Sequence, residues 1–311
     1  MKLEIPCTFR RPDKEDAGPQ IEQACDWIEA EALFFCSPVT RTDAGDFLEE
    51  SGLLNRADSR AFAEEVWARL RERIRQAGGN SPFMLERQTF SSNVGAYSEA
   101  AAYSFCLLVS YAHHHKSWAR SCRFDYNGQG ANFEDLVSPA FTQLFPGWTV
   151  HQTGWSKDRA QGGRRVIQEV ADLLCGEAGD VKRWTSSQVK EAQLDLLCYR
   201  EFPDKRGNFP AFFIQCASGA DLRDKLQEPN LETWKKLVAL VPSSLPRRAV
   251  VTPQVLSRRK FDQYANSSCG LLIDRLRLAA AGPESTWISA DTAKKLNRWL
   301  LPYVKKLPLV A

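Results

Sequence analysis

Residues 193–219 read QLDLLCYREFPDKRGNFPAFFIQCASG. Two apolar runs flank a polar stretch in which Pro203, Asp204, Gly207 and Asn208 mark a turn, and the pattern predicts a β-hairpin. Opposed residues of an antiparallel pair share a constant index sum. With the turn centred near Lys205, Asp195 falls opposite Gln215. Strand alternation then puts Asp195, Leu197 and Tyr199 on one face, with Gln215 and Ala217 on that same face. An acid among Leu and Phe is costly to bury unless something pairs with it. A divalent cation is one such partner, and it would make the hairpin a hydrolytic site. Gln215, between Ile214 and Cys216, also needs a hydrogen-bonding reason to sit in an apolar strand.

Upstream, residues 127–155 (NGQGANFEDLVSPAFTQLFPGWTVHQTGW) predict a glycine-rich entry, a helix and a short strand. Phe133, Leu136, Val137, Ala140, Phe141 and Leu144 follow helical spacing. Asn132 is the expected N-cap and Pro146-Gly147 the stop. This places Glu134 in the first helical turn, where the helix dipole favours an acid in any case. Trp148, Val150 and Gln152 share a face of the next run, and Gly154 ends it.

These segments together resemble the core of the PD-(D/E)xK nuclease superfamily, of restriction-endonuclease type. That core orders a helix with a Glu, a strand, a hairpin carrying Asp and then (D/E/Q)-x-K, and a following helix. The matching residues are Glu134, Asp195 and Gln215, the Gln form being that of the Mrr-like branch. The chain departs from the pattern where Ala217 stands at the lysine position. Lys225, one turn into the next helix, is the expected replacement, and its alternative is a surface pair with Asp221 or Glu228. The resemblance covers residues 125–280. It implies the α/β class, with a mixed sheet flanked by helices over 121–311. It also implies a Mg²⁺- or Mn²⁺-dependent endonuclease, with Asp195, Gln215, Cys216 (through its carbonyl) and Glu134 around the metal and Lys225 at the phosphate. The expected substrate is DNA, with RNA left open. Restriction or antiphage defence is the setting implied by analogy. The alternative is a degenerate, non-cleaving subunit that binds DNA or scaffolds a complex, which Ala217 favours. A helical adaptor with an incidental hairpin is the third reading.

Composition sets the frame. The 311 residues are 43% hydrophobic and 25% charged, as in ordinary globular chains. A net charge of +3 excludes a broadly cationic coat, so a nucleic-acid site must be a local patch. Candidate patches are Arg164-Arg165, Lys182-Arg183, Lys235-Lys236, Arg247-Arg248 and Arg258-Arg259-Lys260. Nine cysteines without CxxC spacing read as reduced core thiols of a cytoplasmic protein. No run of about eighteen apolar residues predicts a membrane span. His113-His114-His115 point in three directions from a helix and are expected at a polar helix end.

Residues 1–120 read as mostly helical, with helices over 21–35, 58–77 and 98–115, and a cap at Thr42-Asp43. In the second, Phe62, Val66, Trp67, Leu70 and Ile74 form the apolar stripe, and Arg69, Arg71, Arg73 and Arg75 fall mainly on other faces. This region is expected to dock a protein partner or a second copy, cover the cleft, or contact DNA. After the hairpin, strands at 249–252 and 270–273 alternate with helices, as a layered α/β sheet requires. A terminal helix is expected over 286–306.

Overall fold

The computed structural model describes residues 2–6, 8–10, 17–153, 161–179, 193–240 and 245–310. Gly154 and the Lys182-Arg183 patch lie outside the described residues. The chain divides into two compact units. The first comprises 1–132, 253–260 and 274–311, and the second comprises 133–252 and 261–273. This division is not the one expected at 120/121, because the C-terminal stretch packs with the N-terminal residues.

The first unit opens with α1 (Gly18–Phe34), β1 (Val39–Thr40), α2 (Arg41–Glu50) and α3 (Arg56–Gln76). The cap of α2 stands two residues earlier than expected. Thr40 accepts from the Asp43 backbone and Asp43 answers to the Thr40 N–H, a reciprocal capping box. A hairpin, β2 (Phe83–Glu86) and β3 (Thr89–Ser92), joins β1 in a three-stranded sheet that the sequence did not disclose. Its turn lacks the usual Asn-Gly signal, and Arg87 itself takes the left-handed conformation, with φ 51°. Next come α4 (Ala101–His114), apolar on every face and buried from Ala101 to Ala112, and α5 (Lys116–Ser121). His115 departs from the expected polar helix end: it is buried and stacks on Tyr111 at 4.4 Å between ring centroids.

Helix α6 (Tyr126–Leu144) starts well before Asn132. Its cap is Asp125, whose Oδ1 accepts from the Gly128 N–H at 2.9 Å. The glycine-rich entry is therefore the helix's first turn, Asn132 is a buried interior residue, and Glu134 loses the dipole explanation. A Cβ at Gly128 would stand 2.0 Å from Asp125 Oδ2. Gly128→Ala is therefore expected to lose up to about 2 kcal/mol of capping and to regain about 1 kcal/mol of helix propensity, a net destabilisation of up to about 1 kcal/mol. Urea denaturation checks this; a more stable variant would show that the cap contributes less than the roughly 1 kcal/mol of helix propensity that Ala brings.

In the second unit, β4 (Thr149–Gln152), α7 (Gln161–Leu173), β5 (Glu177–Ala178), β6 (Leu196–Tyr199) and β7 (Ala211–Cys216) follow. After them come α8 (Leu222–Lys225), α9 (Leu231–Leu237), β8 (Val238–Ala239), β9 (Arg247–Val251), α10 (Arg258–Ser268), which runs in from the first unit, and β10 (Leu271–Ile273). Five strands form one mixed sheet in the order β10-β9-β7-β6-β4. The pairs β4·β6 and β6·β7 are antiparallel; β7·β9 and β9·β10 are parallel. An α/β architecture with a mixed sheet and helices is thus present, which a helical adaptor would lack. The hairpin register pairs Leu196 with Ile214 and Tyr199 with Ala211, the index sum expected from the turn at Lys205.

One face of the hairpin carries Leu197, Tyr199, Ala211 and Phe213, packed with Val166, Ile167 and Val170 of α7 and with Trp234 and Leu237 of α9. Phe213 meets Trp234 edge-on at 4.8 Å. On the other face, Phe212 meets Phe145 at 5.7 Å and Trp148 at 5.4 Å, just beyond α6. Ala249, Val250 and Val251 of β9 are fully buried, as a central parallel strand requires.

The chain then returns to the first unit through α11 (Arg275–Ala279), α12 (Glu284–Trp287) and α13 (Ala290–Val304). Arg275 enters a buried cluster of charge. Glu22, Asp26 and Glu29 form one stripe of α1. Arg73 of α3 bonds all three, at 2.7 Å to Glu22 and 2.8 Å to both Asp26 and Glu29. Arg69 bonds Glu22 at 2.7 Å; Arg275 bonds Asp26, and Glu29 at 3.0 Å. Tyr103 and Ser110 of α4 donate to Glu29 and Asp26. Arg73 therefore does not follow the outward expectation. It is 2% exposed, while Ile74 beside it is only half-buried. Burial alone would raise the Asp26 pKa, but Arg275 and Arg73 hold it well below the usual carboxylate range. No described helix is long and apolar enough to cross a membrane.

Candidate functional site

The site is built at the end of the sheet where β4, β7, β9 and β10 finish and β6 begins. In open α/β sheets the carboxyl ends of parallel strands are where ligands bind. Asp195 directly precedes β6. Its N–H donates to Ile214 O at 3.2 Å and its carbonyl accepts from Thr153 N at 3.1 Å, so two strands fix its backbone. The Thr153 hydroxyl adds bonds to the carbonyls of Leu194 and Asp195.

The side chain points toward β7. Asp195 Oδ2 accepts from Gln215 Nε2 at 2.6 Å and from the Cys216 N–H at 2.7 Å. Asp195 and Gln215 are thus cross-strand neighbours on one face, the relation that decides whether a hairpin site exists. Because Gln215 gives its nitrogen to the acid, its Oε1 faces away. That oxygen is buried without a partner among the described residues, in a side chain 4% exposed. A buried acceptor without a partner costs roughly 1–3 kcal/mol, so this oxygen is where a cation or a donor would fit. Burial pushes the Asp195 carboxyl up to about 6; the Cys216 N–H, Lys225 and Gln215 pull it back, and Glu228 pushes it further up.

The remaining expected residues gather at the same end with different fits. Gln152, at the end of β4, donates its side-chain amide to the Glu134 carbonyl at 3.2 Å. Burial raises the Cys216 thiol well above its usual range, and the charges of Asp195 and Glu134 raise it further. The Glu134 charge therefore reaches Cys216. Cys216 supplies an N–H to Asp195, its carbonyl accepts from Ser218 N at 3.2 Å, and its protonated thiol is no ligand for a hard cation. Lys225 is near enough to act on Asp195, yet its ammonium bonds Glu228 Oε2 at 2.6 Å. The surface-pair alternative is therefore the geometry seen, with the lysine still at the site. Ala217, at the position of the motif lysine, is buried.

Two residues escaped the sequence reading. Glu228 was only a pairing option for Lys225, yet its charge reaches Asp195. Arg248, expected in a basic patch with Arg247, is buried at 8% exposed. Among the described residues, no three His, Cys, Asp or Glu side chains gather as a metal cluster. The oxygens on offer are the Asp195 carboxylate and Gln215 Oε1, a sparse but chemically suitable set for a hard cation that keeps most of its waters. Comparison of the chain with protein-family models, with curated proteins and with solved structures finds no match.

Proposed function

We propose that the second unit is a metal-dependent nuclease domain of the PD-(D/E)xK type, cleaving phosphodiester bonds of DNA. The observation that carries the reading is the Asp195–Gln215 pair, an acid bonded to the amide nitrogen of a buried glutamine whose oxygen no described residue fills. Asp195 and Gln215 Oε1 would hold Mg²⁺ or Mn²⁺, with Glu134 nearby. When bound, the ion would lower the pKa of its water and offset phosphate charge. Lys225 supplies a cation for the phosphate. The strand order and the helix after β7 agree with a restriction-endonuclease-like arrangement. The test is cleavage of supercoiled and linear DNA in Mg²⁺ or Mn²⁺ by the wild type, set against Asp195→Asn.

A second reading rests on Ala217 and on the bond between Lys225 and Glu228: a subunit that binds DNA without cutting it. Wild-type protein that shifts DNA in a gel but leaves it intact in both metals would establish that reading. If the catalytic reading holds, Lys225→Ala removes cleavage by about 10²-fold or more with the thermal transition within a degree or two of wild type. A Lys225→Ala protein that cuts at the wild-type rate would remove Lys225 from the mechanism.

A further inference from the structure

The segment that carries Glu228 is held from the sheet. Arg248 of β9 is buried, and its guanidinium bonds no carboxylate among the described residues. Its Nε donates to Pro229 O at 3.1 Å; its Nη1 donates to Ser268 O at 2.6 Å and to Gln227 Oε1 at 3.3 Å. Gln227 in turn donates to Ser267 O. One guanidinium thus grips the residue before Glu228 and the residue after it. The packing around Arg248 is close: a Cβ on Gly270 would stand 2.3 Å from Arg248 O, so β10 approaches at a distance that only glycine allows. A buried cation without an acid is costly to keep. Here its bonds to described residues fix the turn between α8 and α9 and the end of α10.

A lysine on a four-residue helix has little to hold it. Its side chain carries about 2 kcal/mol of rotamer entropy, and α8 covers only Leu222–Lys225. Glu228 restricts that freedom with a 2.6 Å bond. The ammonium has three donors, so one bond to Glu228 leaves others for phosphate oxygens. Resting on the nuclease reading of the site, we propose that Glu228 is a positioning residue that holds the Lys225 ammonium at the Asp195 end of the sheet, and that Arg248 holds Glu228 in place.

Two measurements on Glu228→Ala, Glu228→Gln and Arg248→Met test this. The first is cleavage of DNA in Mg²⁺. Glu228→Ala is expected to lower kcat about 10- to 100-fold, the effect of a misplaced group, with KM for DNA unchanged; Glu228→Gln, which keeps an acceptor oxygen, recovers part of the loss. The second needs no activity: the rate at which limiting acetic anhydride modifies Lys225, resolved by mass spectrometry. That rate should rise several-fold in Glu228→Ala and in Arg248→Met, while Lys235, bonded to Glu232 at 2.5 Å, stays constant. If Arg248→Met does not fold, Gln227→Ala removes one of its contacts and should move Lys225 in the same direction. Unchanged Lys225 reactivity in Glu228→Ala overturns the proposal, as does cleavage at or above the wild-type rate. A wild type that never cuts overturns the nuclease reading, and Lys225 reactivity then still decides whether Glu228 and Arg248 position the lysine.

Discussion

Asp195→Asn is expected to lose cleavage and gain stability in the same protein. The loss should be about a thousandfold or more, since the substitution removes the charged oxygen donor of the proposed metal site. The gain follows from linkage. The Asp195 pKa is raised from 3.8 to about 6, so the folded protein holds this proton more tightly than the unfolded chain does. Its contribution is then most favourable below about pH 4 and is lost as the pH rises through about 6. Asparagine never ionises, and its carbonyl oxygen can accept from Gln215 Nε2 and the Cys216 N–H as Oδ2 does now. At pH 8 the variant should be more stable by about 1–3 kcal/mol, a shift of several degrees in Tm. At pH 4 the two melting curves should coincide. An ordinary salt-bridged surface acid predicts the opposite sign at pH 8, so a less stable variant there would end the reading of Asp195 as an acid held for function.

Arg73→Met is expected to be the most damaging single substitution in the first unit. It deletes one guanidinium that bonds Glu22, Asp26 and Glu29 together. The three carboxylates stay buried, with Arg69 and Arg275 left to answer them. Breaking a buried ion pair on one side costs about 3–5 kcal/mol, most of it the penalty of the charge left behind. Urea unfolding of the full chain should show the first-unit transition moved to much lower denaturant. Arg73→Lys keeps the charge but not the forked geometry, and should fall between. The same cluster makes the unit acid-sensitive. Asp26 has a lowered pKa in the folded protein, so its contribution is present above the unfolded carboxylate range near pH 4 and is lost as the pH falls below it. An Arg73→Met protein with wild-type stability would mean that water, not Arg73, satisfies the α1 acids.

The hairpin was legible because its information is local. A turn at Lys205 and period-2 alternation suffice to set Asp195 against Gln215, and no distant residue can move them without reversing the faces of both strands. The start of α6 was misread for a local reason too: Gly128 and Gly130 look like loop, and only the return of Asp125 onto the Gly128 N–H makes them helix. Arg73 was hidden because a helical pattern treats charge as outward. Its burial depends on acids of α1 and on Arg275, far apart in the chain. The roles of Glu228 and Arg248 were hidden in the same way. A strand residue that bonds the chain on either side of a carboxylate leaves no spacing rule in the sequence.

The first unit is also completed late. Leu3 pairs with Leu309, Val310 N donates to Lys2 O, and Arg275 closes the charge cluster on α1. During synthesis the second unit, apart from α10's first turn, can collect all its strands while the first still lacks α11 to α13. The acids of α1, made early, lack their Arg275 partner until residue 275 has been made. No single cut of the chain yields the first unit whole, and a protein released before Arg275 would carry a finished five-stranded sheet and an unfinished first unit.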